Sequence, residues 1–350
     1  MTRQRLFIIL IAIITSLGII VMLQWRSTAS TSIGSGFLRK FPPNILPSWE
    51  ATAIGAHQSI IGATATDIYL SSHHNPLLIS IFNTQTSTWK SQTYKAPKHA
   101  KIAWKLLKPQ AHPSGIYFTE GITPMVLYGS PNLDSLQVIP TLKTTFSGIL
   151  AIDKSQYILK SYASKYQQNI LIKATLNPQK TIEKPDLLTK QVDGLFCTEG
   201  DLLIDHRTGT LVYVYRYRNE FMVLDYDLNL KFKGHTIDTI NKAQIKVTKI
   251  NKGTQVQHSL SAPPLIVNKN SRVYKNMLFV QSNIRAQNED PDVFNTKTVI
   301  DVYDLGLKRY LYSFYIPRYL NQALKDFTIT DHHLTALYDD HLVKFRLNLP

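Results

Sequence analysis

The chain has 350 residues, 44% of them hydrophobic and 18% charged, and carries a formal net charge of +15. This apolar content supports a packed core and excludes a globally disordered chain. The single cysteine, Cys197, excludes intrachain disulfides, paired-cysteine redox motifs and covalently attached haem. The 18 tyrosines and 14 phenylalanines, beside many Ile, Val and Thr residues, favour strands over helices.

The N-terminal segment differs from the rest of the chain. Two arginines precede an uncharged apolar run, Phe7–Gln24. As a helix, this run would span about 27 Å, close to the bilayer's hydrocarbon core of about 30 Å. We therefore predict a transmembrane anchor at residues 1–26 with a cytoplasmic N-terminus, followed by a flexible linker at 27–36. A signal peptide cleaved after Ala29 is the alternative, and both interpretations place the remainder outside the cytoplasm.

Beyond the linker, one hairpin pattern recurs. Apolar and polar residues alternate around a short polar break in VLDYDLNLKFKG (223–234) and again in TVIDVYDLGLKRYLYSFYIP (298–317), which is typical of two strands joined by a tight turn. Six such strands end at Asn83, Gly129, Thr175, Asp227, Asp304 and Arg346. Their spacings are 46, 46, 52, 77 and 42 residues. Four of these fit a four-stranded propeller blade of about 40–50 residues, and the other fits a blade with an insertion.

The sixth unit stops at its third strand, so a closed ring needs an outer strand from elsewhere. We expect that strand within Phe37–Ile54, because closure removes a free sheet edge. In the spacing of these strands, residues 37–350 resemble the membrane-anchored six-bladed β-propeller proteins of the bacterial envelope. The resemblance implies an all-β fold, a six-bladed β-propeller of four-stranded antiparallel blades, preceded by one N-terminal transmembrane helix.

The resemblance transfers no functional residue, because the chain has no YWTD, NHL, kelch or WD motif. A pair of β-sandwiches is the alternative fold. No asparagine begins an Asn-x-Ser/Thr sequon, which favours a bacterial envelope over a glycosylating secretory pathway. We therefore expect the propeller on the periplasmic side of a bacterial inner membrane.

Candidate binding residues follow from the blade layout. Links between second and third strands, and links between blades, share one rim of a propeller. This arrangement places six side chains on that rim: His73, His74, Arg218, Glu220, Asp339 and His341. Two elaborations fall on the same rim, namely the insertion at about 235–270 between blades four and five and the long link within blade five. Long loops on one face commonly carry function.

The insertion is predicted to form an extra hairpin and is basic. Its lysines are Lys242, Lys246, Lys249 and Lys252. They favour a docking edge for an acidic partner, and a solvated hairpin with a protected free edge is the alternative. Residues 27–350 carry 36 Lys and Arg against 24 Asp and Glu, or +12. This charge favours acidic envelope proteins, anionic glycans or lipid headgroups, whereas the extracytoplasmic location disfavours nucleic acid.

Cofactor and catalytic motifs are sparse. Glu289, Asp290 and Asp292 could offer oxygen ligands to calcium (Ca²⁺), but their spacing matches no established loop, and an acidic surface loop is the alternative. His73 and His74, in a rim link, could also contribute to a metal site. The chain has no GxSxG elbow, HExxH motif or phosphate-binding glycine loop.

Two functions therefore stand as hypotheses. The first is a membrane-tethered binding or scaffold module for an envelope protein or anionic ligand, without chemistry of its own. The second is a propeller enzyme, either a quinone- or metal-dependent oxidoreductase or a carbohydrate-active lyase or hydrolase. Its residues would converge at the rim or central channel, which linear spacing cannot reveal.

Overall fold

The computed structural model describes residues 4, 12–19, 22, 36–97, 102–140, 142–252 and 255–348. Within these ranges, no helix combines the length and apolar character needed to cross a membrane. Residues 12–19 are helical and exposed. Most of the predicted anchor, and nearly all of the predicted linker, lies outside the described residues.

The described chain forms six four-stranded antiparallel sheets arranged as blades. Strand β1 (Trp49–Ala53) comes first and joins the last blade. Blade one contains β2 (Gln58–Ala63), β3 (Asp67–Ser72), β4 (Asn75–Asn83) and β5 (Trp89–Thr93); blade two contains β6 (Lys108–His112), β7 (Gly115–Glu120), β8 (Met125–Gly129) and β9 (Leu136–Val138). Blade three contains β10 (Gly148–Ala151), β11 (Gln156–Ala163), β12 (Gln168–Leu176) and β13 (Gln179–Lys184).

The insertion separates blades four and five. Blade four contains β14 (Gly200–Asp205), β15 (Thr210–Tyr215), β16 (Glu220–Leu224) and β17 (Leu230–His235), and the insertion carries the separate hairpin β18 (Val247–Lys252) and β19 (Gln255–Leu260). Blade five contains β20 (Asn268–Tyr274), β21 (Met277–Ser282), β22 (Thr298–Asp304) and β23 (Arg309–Ile316); blade six contains β24 (Asp326–Ile329), β25 (His333–Leu337), β26 (His341–Arg346) and β1. A 3₁₀ turn, Trp104–Leu106, precedes β6, and a short helix, Pro291–Thr296, precedes β22.

The ring closes as the sequence predicts. Strand β1 pairs antiparallel with β26, from Trp49 opposite Phe345 to Ala53 opposite His341. The N-terminal segment thus supplies the outer strand that the sixth blade lacks. The innermost strands meet around the centre, with β24 against β2, β2 against β6, β10 against β14, β14 against β20 and β20 against β24.

Packing between blades explains why the hairpin recurs. Each of the six blade interfaces contains its own cluster of buried apolar side chains. The central strands β7 and β15 are buried at every position. Their sequences, GIYFTE and TLVYVY, therefore lack the apolar–polar alternation of a strand with one face in solvent. One blade cannot bury both of its faces alone, and its neighbours on either side must cover them.

The topology gives the disc two different rims. The links between second and third strands, and the links between blades, lie on what we call the link rim: the former are 73–74, 121–124, 164–167, 216–219, 283–297 and 338–340, and the latter include 54–57, 139–147, 185–199 and 236–267. The short turns within the first and last hairpin of each blade lie on the opposite side, the turn rim. The insertion and the long blade-five link therefore share the link rim.

Candidate binding site on the link rim

A cavity of about 650 Å³ opens on the link rim between blades one, two and three. The innermost strands β2, β6 and β10 form its walls together with the link at 121–124 and the end of the link before β10. Its lining residues are Ser59, Ile60, Ile61, Ser71, Ser72, His73, Leu106, Leu107, Lys108, Pro109, Gln110, Thr119, Glu120, Gly121, Ile122, Phe146, Ser147, Gly148 and Ile149. This volume lies in the range of small-molecule sites, which occupy about 300–1,000 Å³.

A bulge in β2 shapes one wall of the cavity. The β2–β3 register shifts between Ile60 and Gly62, which leaves Ile61 without a paired partner on β3. Gly62 has φ +148°, and a Cβ there would lie 2.9 Å from the Cβ of Ala111 on β6. Glycine therefore permits both the bulge and the close approach of the first two blades.

A tight turn and the adjoining blade link form the opposite wall. A Cβ on Gly121 would lie 1.9 Å from the carbonyl oxygen of Phe146, so the two backbones touch. The Glu120 carboxylate accepts hydrogen bonds from the backbone N–H of Ile122 at 2.7 Å and of Thr123 at 2.9 Å, and from the Thr123 hydroxyl. Burial opposes ionisation, but these hydrogen bonds prevail and lower the pKa of Glu120. Glu120 thus holds the wall in place as a carboxylate.

The cavity offers an apolar surface with neutral hydrogen-bonding groups, one lysine and the Glu120 carboxylate. Leu106 and Ile122 are exposed at its lip, at 44% and 69%. Serine hydroxyls, the Gln110 amide and the exposed Lys108 supply polar contacts. The Glu120 carboxylate already accepts hydrogen bonds from its own turn, so the exposed Lys108 is the charged side chain left to contact a ligand. This combination suits an amphipathic ligand or side chain with an acidic group.

The structure brings His73 and His74 together with a third histidine. Both lie exposed in the turn between β3 and β4, with ring centres 3.9 Å apart, and His73 lines the cavity. The ring of His57, from the link before β2, lies 5.4 Å from that of His74 and 6.2 Å from that of His73. Of the rim residues singled out from the sequence, His73 alone lines the cavity.

Arg218 and Glu220 pair with each other away from the cavity. Arg218 is completely buried, and its Nε donates to Glu220 Oε2 at 2.9 Å. Its Nη1 donates to the Cys197 carbonyl at 3.1 Å, and its guanidinium lies 3.4 Å from the centre of the Tyr215 ring. Arg218 is therefore enclosed within blade four, and its side chain is not exposed on the link rim.

Asp339 and His341 lie in blade six, at the link between β25 and β26. Asp339 is exposed, and its backbone N–H donates to Gln322 Oε1 at 3.1 Å. His341 Nδ1 lies 2.7 Å from Asp340 Oδ1, and its ring packs 5.0 Å from that of Tyr319. The predicted rim residues therefore form separate groups in blades one, four and six.

The insertion packs on blade four through apolar residues. Ala243 and Ile245 are buried against Cys197 and Tyr217, and Val247 and Leu260 pack on the same cluster. Lys242 and Lys246 are exposed. The side chains of Lys249 and Lys252 lie outside the described part of the hairpin.

The acidic blade-five link binds residues 36–40, which we call the N-terminal arm. Arg39 donates from Nε to Asp301 Oδ1 at 2.7 Å and from Nη2 to Asp301 Oδ2 at 3.0 Å, and its Nη1 contacts Glu289. All three side chains are buried. Phe37 packs beside them against Val267, Ile284 and Ala286. This cluster fastens residues 36–40 to blade five.

These contacts give the predicted calcium ligands other partners. Glu289 pairs with Arg39 and accepts from the Tyr315 hydroxyl at 2.6 Å. Asp290 caps the short helix by accepting from the N–H groups of Asp292 and Val293, and Asp292 is exposed. Among the described residues, no group of three or more His, Cys, Asp or Glu side chains could hold a metal ion as it is placed.

Charged pairs line the inner strands of blades four to six. Arg272 Nη2 donates to Asp326 Oδ1 at 2.5 Å, and Arg216 Nη2 lies 3.6 Å from Asp201 Oδ1. Burial raises the pKa of Asp201 and of Asp326, although the neighbouring arginines oppose this change. Asp201 and Asp326 lie at the link-rim ends of β14 and β24, and Arg216 lies in the adjoining link.

The turn rim carries a second charged group at the centre. Asp331 of blade six lies 2.8 Å from Lys275 Nζ of blade five and 3.5 Å from Arg207 Nη1 of blade four. Hydrogen bonds from Lys275 and Tyr274 lower the pKa of Asp331. Nearby, the rings of His112 and His206 lie 4.4 Å apart although they belong to blades two and four. Turns from several blades thus meet across the centre of this rim.

Sequence reasoning missed the cavity and its principal residues. Lys108, Glu120, Ile122 and Phe146 come from two blades and carry no shared motif. The one usable signal was the position of 121–124 between the second and third strands of its blade, which assigns this segment to the link rim. That position does not show which links lie close to each other.

Comparisons with known proteins support the fold alone. No protein-family model matches the chain, and no curated protein matches its sequence. A solved structure of a DUF4221 family member from Bacteroides vulgatus is similar with a TM-score of 0.52 and 11% identity, covering 87% of this chain and 97% of that one. A solved structure from Bacteroides fragilis, described as a putative exported protein, has a TM-score of 0.49 and 9% identity, covering 90% of this chain and 95% of that one. The nidogen/laminin complex has a TM-score of 0.42 and 11% identity, covering 74% and 81%. The chain is thus a six-bladed β-propeller whose likeness to known proteins is one of fold.

Proposed function

We propose that this protein is a membrane-tethered, extracytoplasmic binding module. Its binding site is the cavity of blades one to three, which takes a segment of an envelope protein or an anionic ligand. The single observation that carries the proposal is the cavity itself, about 650 Å³ in volume and formed by three blades on the link rim. Large concave sites with apolar walls and a few convergent polar groups are the usual places for ligands.

The chemistry of the cavity supports this class of ligand. Leu106 and Ile122 stand exposed at the lip, where an apolar side chain of a partner could be covered. Lys108 adds a cation whose charge no described acidic side chain neutralises within ion-pair distance. The surplus of basic residues over the whole chain would draw acidic partners toward the rim.

The location rests on the N-terminal sequence. The apolar run Phe7–Gln24 is long enough to span a bilayer and follows two arginines. We propose that it holds the propeller on the periplasmic side of a bacterial inner membrane. The Arg39 cluster would then fix the propeller close to its tether, since residue 39 is only fifteen residues beyond Gln24.

Photo-crosslinking in bacterial cells tests the proposal. A photoreactive phenylalanine analogue replaces Ile122 at the cavity lip, in the full-length chain. The matched control places it at Leu307, which is 61% exposed on the turn rim. We expect a discrete adduct from position 122 and none from position 307.

A second substitution links the adduct to the cavity. Ser59→Trp would fill part of the cavity from β2, where Ser59 is exposed, and should abolish the adduct from position 122. Equal labelling from positions 122 and 307, or an adduct that survives the filled cavity, would contradict the proposed site. An unchanged circular dichroism spectrum of the Ser59→Trp protein would show that this variant is still folded.

An enzyme is the second candidate, and one observation favours it. Asp201 and Asp326 are partly buried carboxylates with raised pKa values, each beside an arginine on the inner strands. Such groups are common at sites of acid–base chemistry. Native mass spectrometry of the full-length chain separates the two candidates. A native mass that exceeds the denatured mass, with the excess lost in Asp201→Asn, would favour an enzyme with a bound cofactor at this site, and a native mass that Asp201→Asn leaves unchanged would favour the binding module.

A further inference from the structure

Three histidines from two segments of the chain lie side by side on the link rim. The ring centres of His73 and His74 are 3.9 Å apart, and that of His57 lies 5.4 Å from His74 and 6.2 Å from His73. All three side chains are exposed. Imidazole is the nitrogen ligand that proteins most often offer to zinc and related ions.

The backbone produces this juxtaposition. Strand β2 begins at Gln58, which lies opposite Ser72 of β3 in the antiparallel register. One residue earlier, His57 therefore stands next to His73 at the end of the same ladder. His73 and His74 form the two-residue turn between paired Ser72 and Asn75. Because they lie in a turn, the two adjacent histidines need not point to opposite faces of a sheet.

We propose that His57, His73 and His74 bind one divalent transition-metal ion, with zinc as the reference ion. Zinc–nitrogen bonds of about 2.0–2.1 Å place each imidazole centre about 3.2 Å from the ion, so tetrahedral ligands have ring centres about 5 Å apart. The three observed separations lie on both sides of this value. As their side chains stand, these three histidines do not form a metal-binding group, so binding requires the exposed rings to rotate.

The fourth coordination position would face the cavity. His73 lines the cavity as well as the cluster, so the ion would stand at the mouth of that site. Three protein ligands with an open fourth position are typical of zinc that also contacts a ligand or water. The metal site stands on the histidine geometry and does not require the cavity to bind a partner.

Metal titration of the full-length protein in detergent tests the site. After removal of metals with a chelator, the protein is titrated with zinc by calorimetry and with cobalt by visible absorption, which reports tetrahedral coordination. We expect one ion per chain and an intense tetrahedral cobalt band. His57→Ala, His73→Ala and His74→Ala should each weaken zinc binding by at least about tenfold.

The matched control is His332→Ala, which removes an exposed histidine from the turn rim and should leave zinc binding unchanged. Two results would overturn the proposal. One is the absence of stoichiometric zinc binding to the wild-type protein, and the other is zinc binding that His57→Ala leaves as tight as His332→Ala does. Failure of the crosslinking experiment alone would not affect the metal site.

Discussion

Removal of the Arg39 side chain should destabilise the whole propeller. The guanidinium is buried and binds both oxygens of Asp301, contacts Glu289, and donates to the Ile284 carbonyl at 3.0 Å and to Ser282 Oγ at 2.8 Å. Arg39→Ala leaves two buried carboxylates without their cation. Breaking a buried ion pair from one side costs about 3–5 kcal/mol, and we expect the free energy of unfolding to fall by that amount.

Urea denaturation of the full-length protein, followed by tryptophan fluorescence and circular dichroism, measures this change. Lys95→Ala is the matched control, because Lys95 pairs with Asp134 on the surface with both side chains largely exposed. This change should leave the unfolding curve unaltered. If the two variants unfold at the same urea concentration, the buried cluster does not stabilise the fold as we infer.

A third protein separates charge from packing. In Arg39→Met combined with Asp301→Asn and Glu289→Gln, these three positions carry no charge and the side-chain volumes are similar. Replacing a buried ion pair by uncharged groups is often close to neutral, so this triple variant should recover part of the lost stability. A triple variant as unstable as Arg39→Ala would mean that the shape of the arginine, and not its charge, secures the N-terminal arm.

Three further changes have defined outcomes. Burial and neighbouring His112 lower the pKa of His206 from 6.5 to about 4, so the unfolded state binds the proton more tightly. The free energy of unfolding should therefore fall as the pH drops from about 6.5 to about 4. His206→Gln should flatten this part of a plot of stability, measured by urea denaturation, against pH. If the plot for His206→Gln is as steep as that for the wild type, His206 is not the cause of the fall. Gly121→Ala forces a methyl group against the Phe146 carbonyl and should cost about 1–3 kcal/mol in the same assay, whereas wild-type stability would show that the turn yields easily. Deletion of residues 247–260 should leave the six-bladed fold intact by circular dichroism and abolish partner capture in the crosslinking assay, and persistent capture would exclude the insertion hairpin from docking.

Much of the architecture could be predicted because it depends on short-range patterns. Side-chain alternation and turn residues are local properties, so the third strand of every blade was recognisable from its own few residues. Counting strands then required β1 to complete blade six, and the pairing of Trp49 with Phe345 confirms it. The propeller's regular connections also assigned each link to a rim, which correctly placed the His73–His74 turn there.

The partners of particular side chains could not be predicted in this way. Glu289 looked like an acidic surface residue, but it is buried beside Arg39, which lies 250 residues earlier in the chain. Arg218 looked available on the rim, but blade four encloses it completely. Burial of a charged residue depends on what covers it. Glu289 is covered from a distant segment, and Arg218 is covered by the packing of its own blade.

The amino-acid sequence by itself determined the number of blades, the order of their strands and the way the ring closes, because strand periodicity and turn chemistry are written into neighbouring residues. Only the tertiary structure decided which rim links meet. The cavity joins three blades, His57 meets His73 through the β2–β3 register, and Arg39, from the segment before β1, binds Asp301 of blade five. The His57–His73 contact depends on the register of one hairpin. The cavity and the Arg39 contacts depend on the packing of blades around the closed ring, which brings together segments that are far apart in the chain.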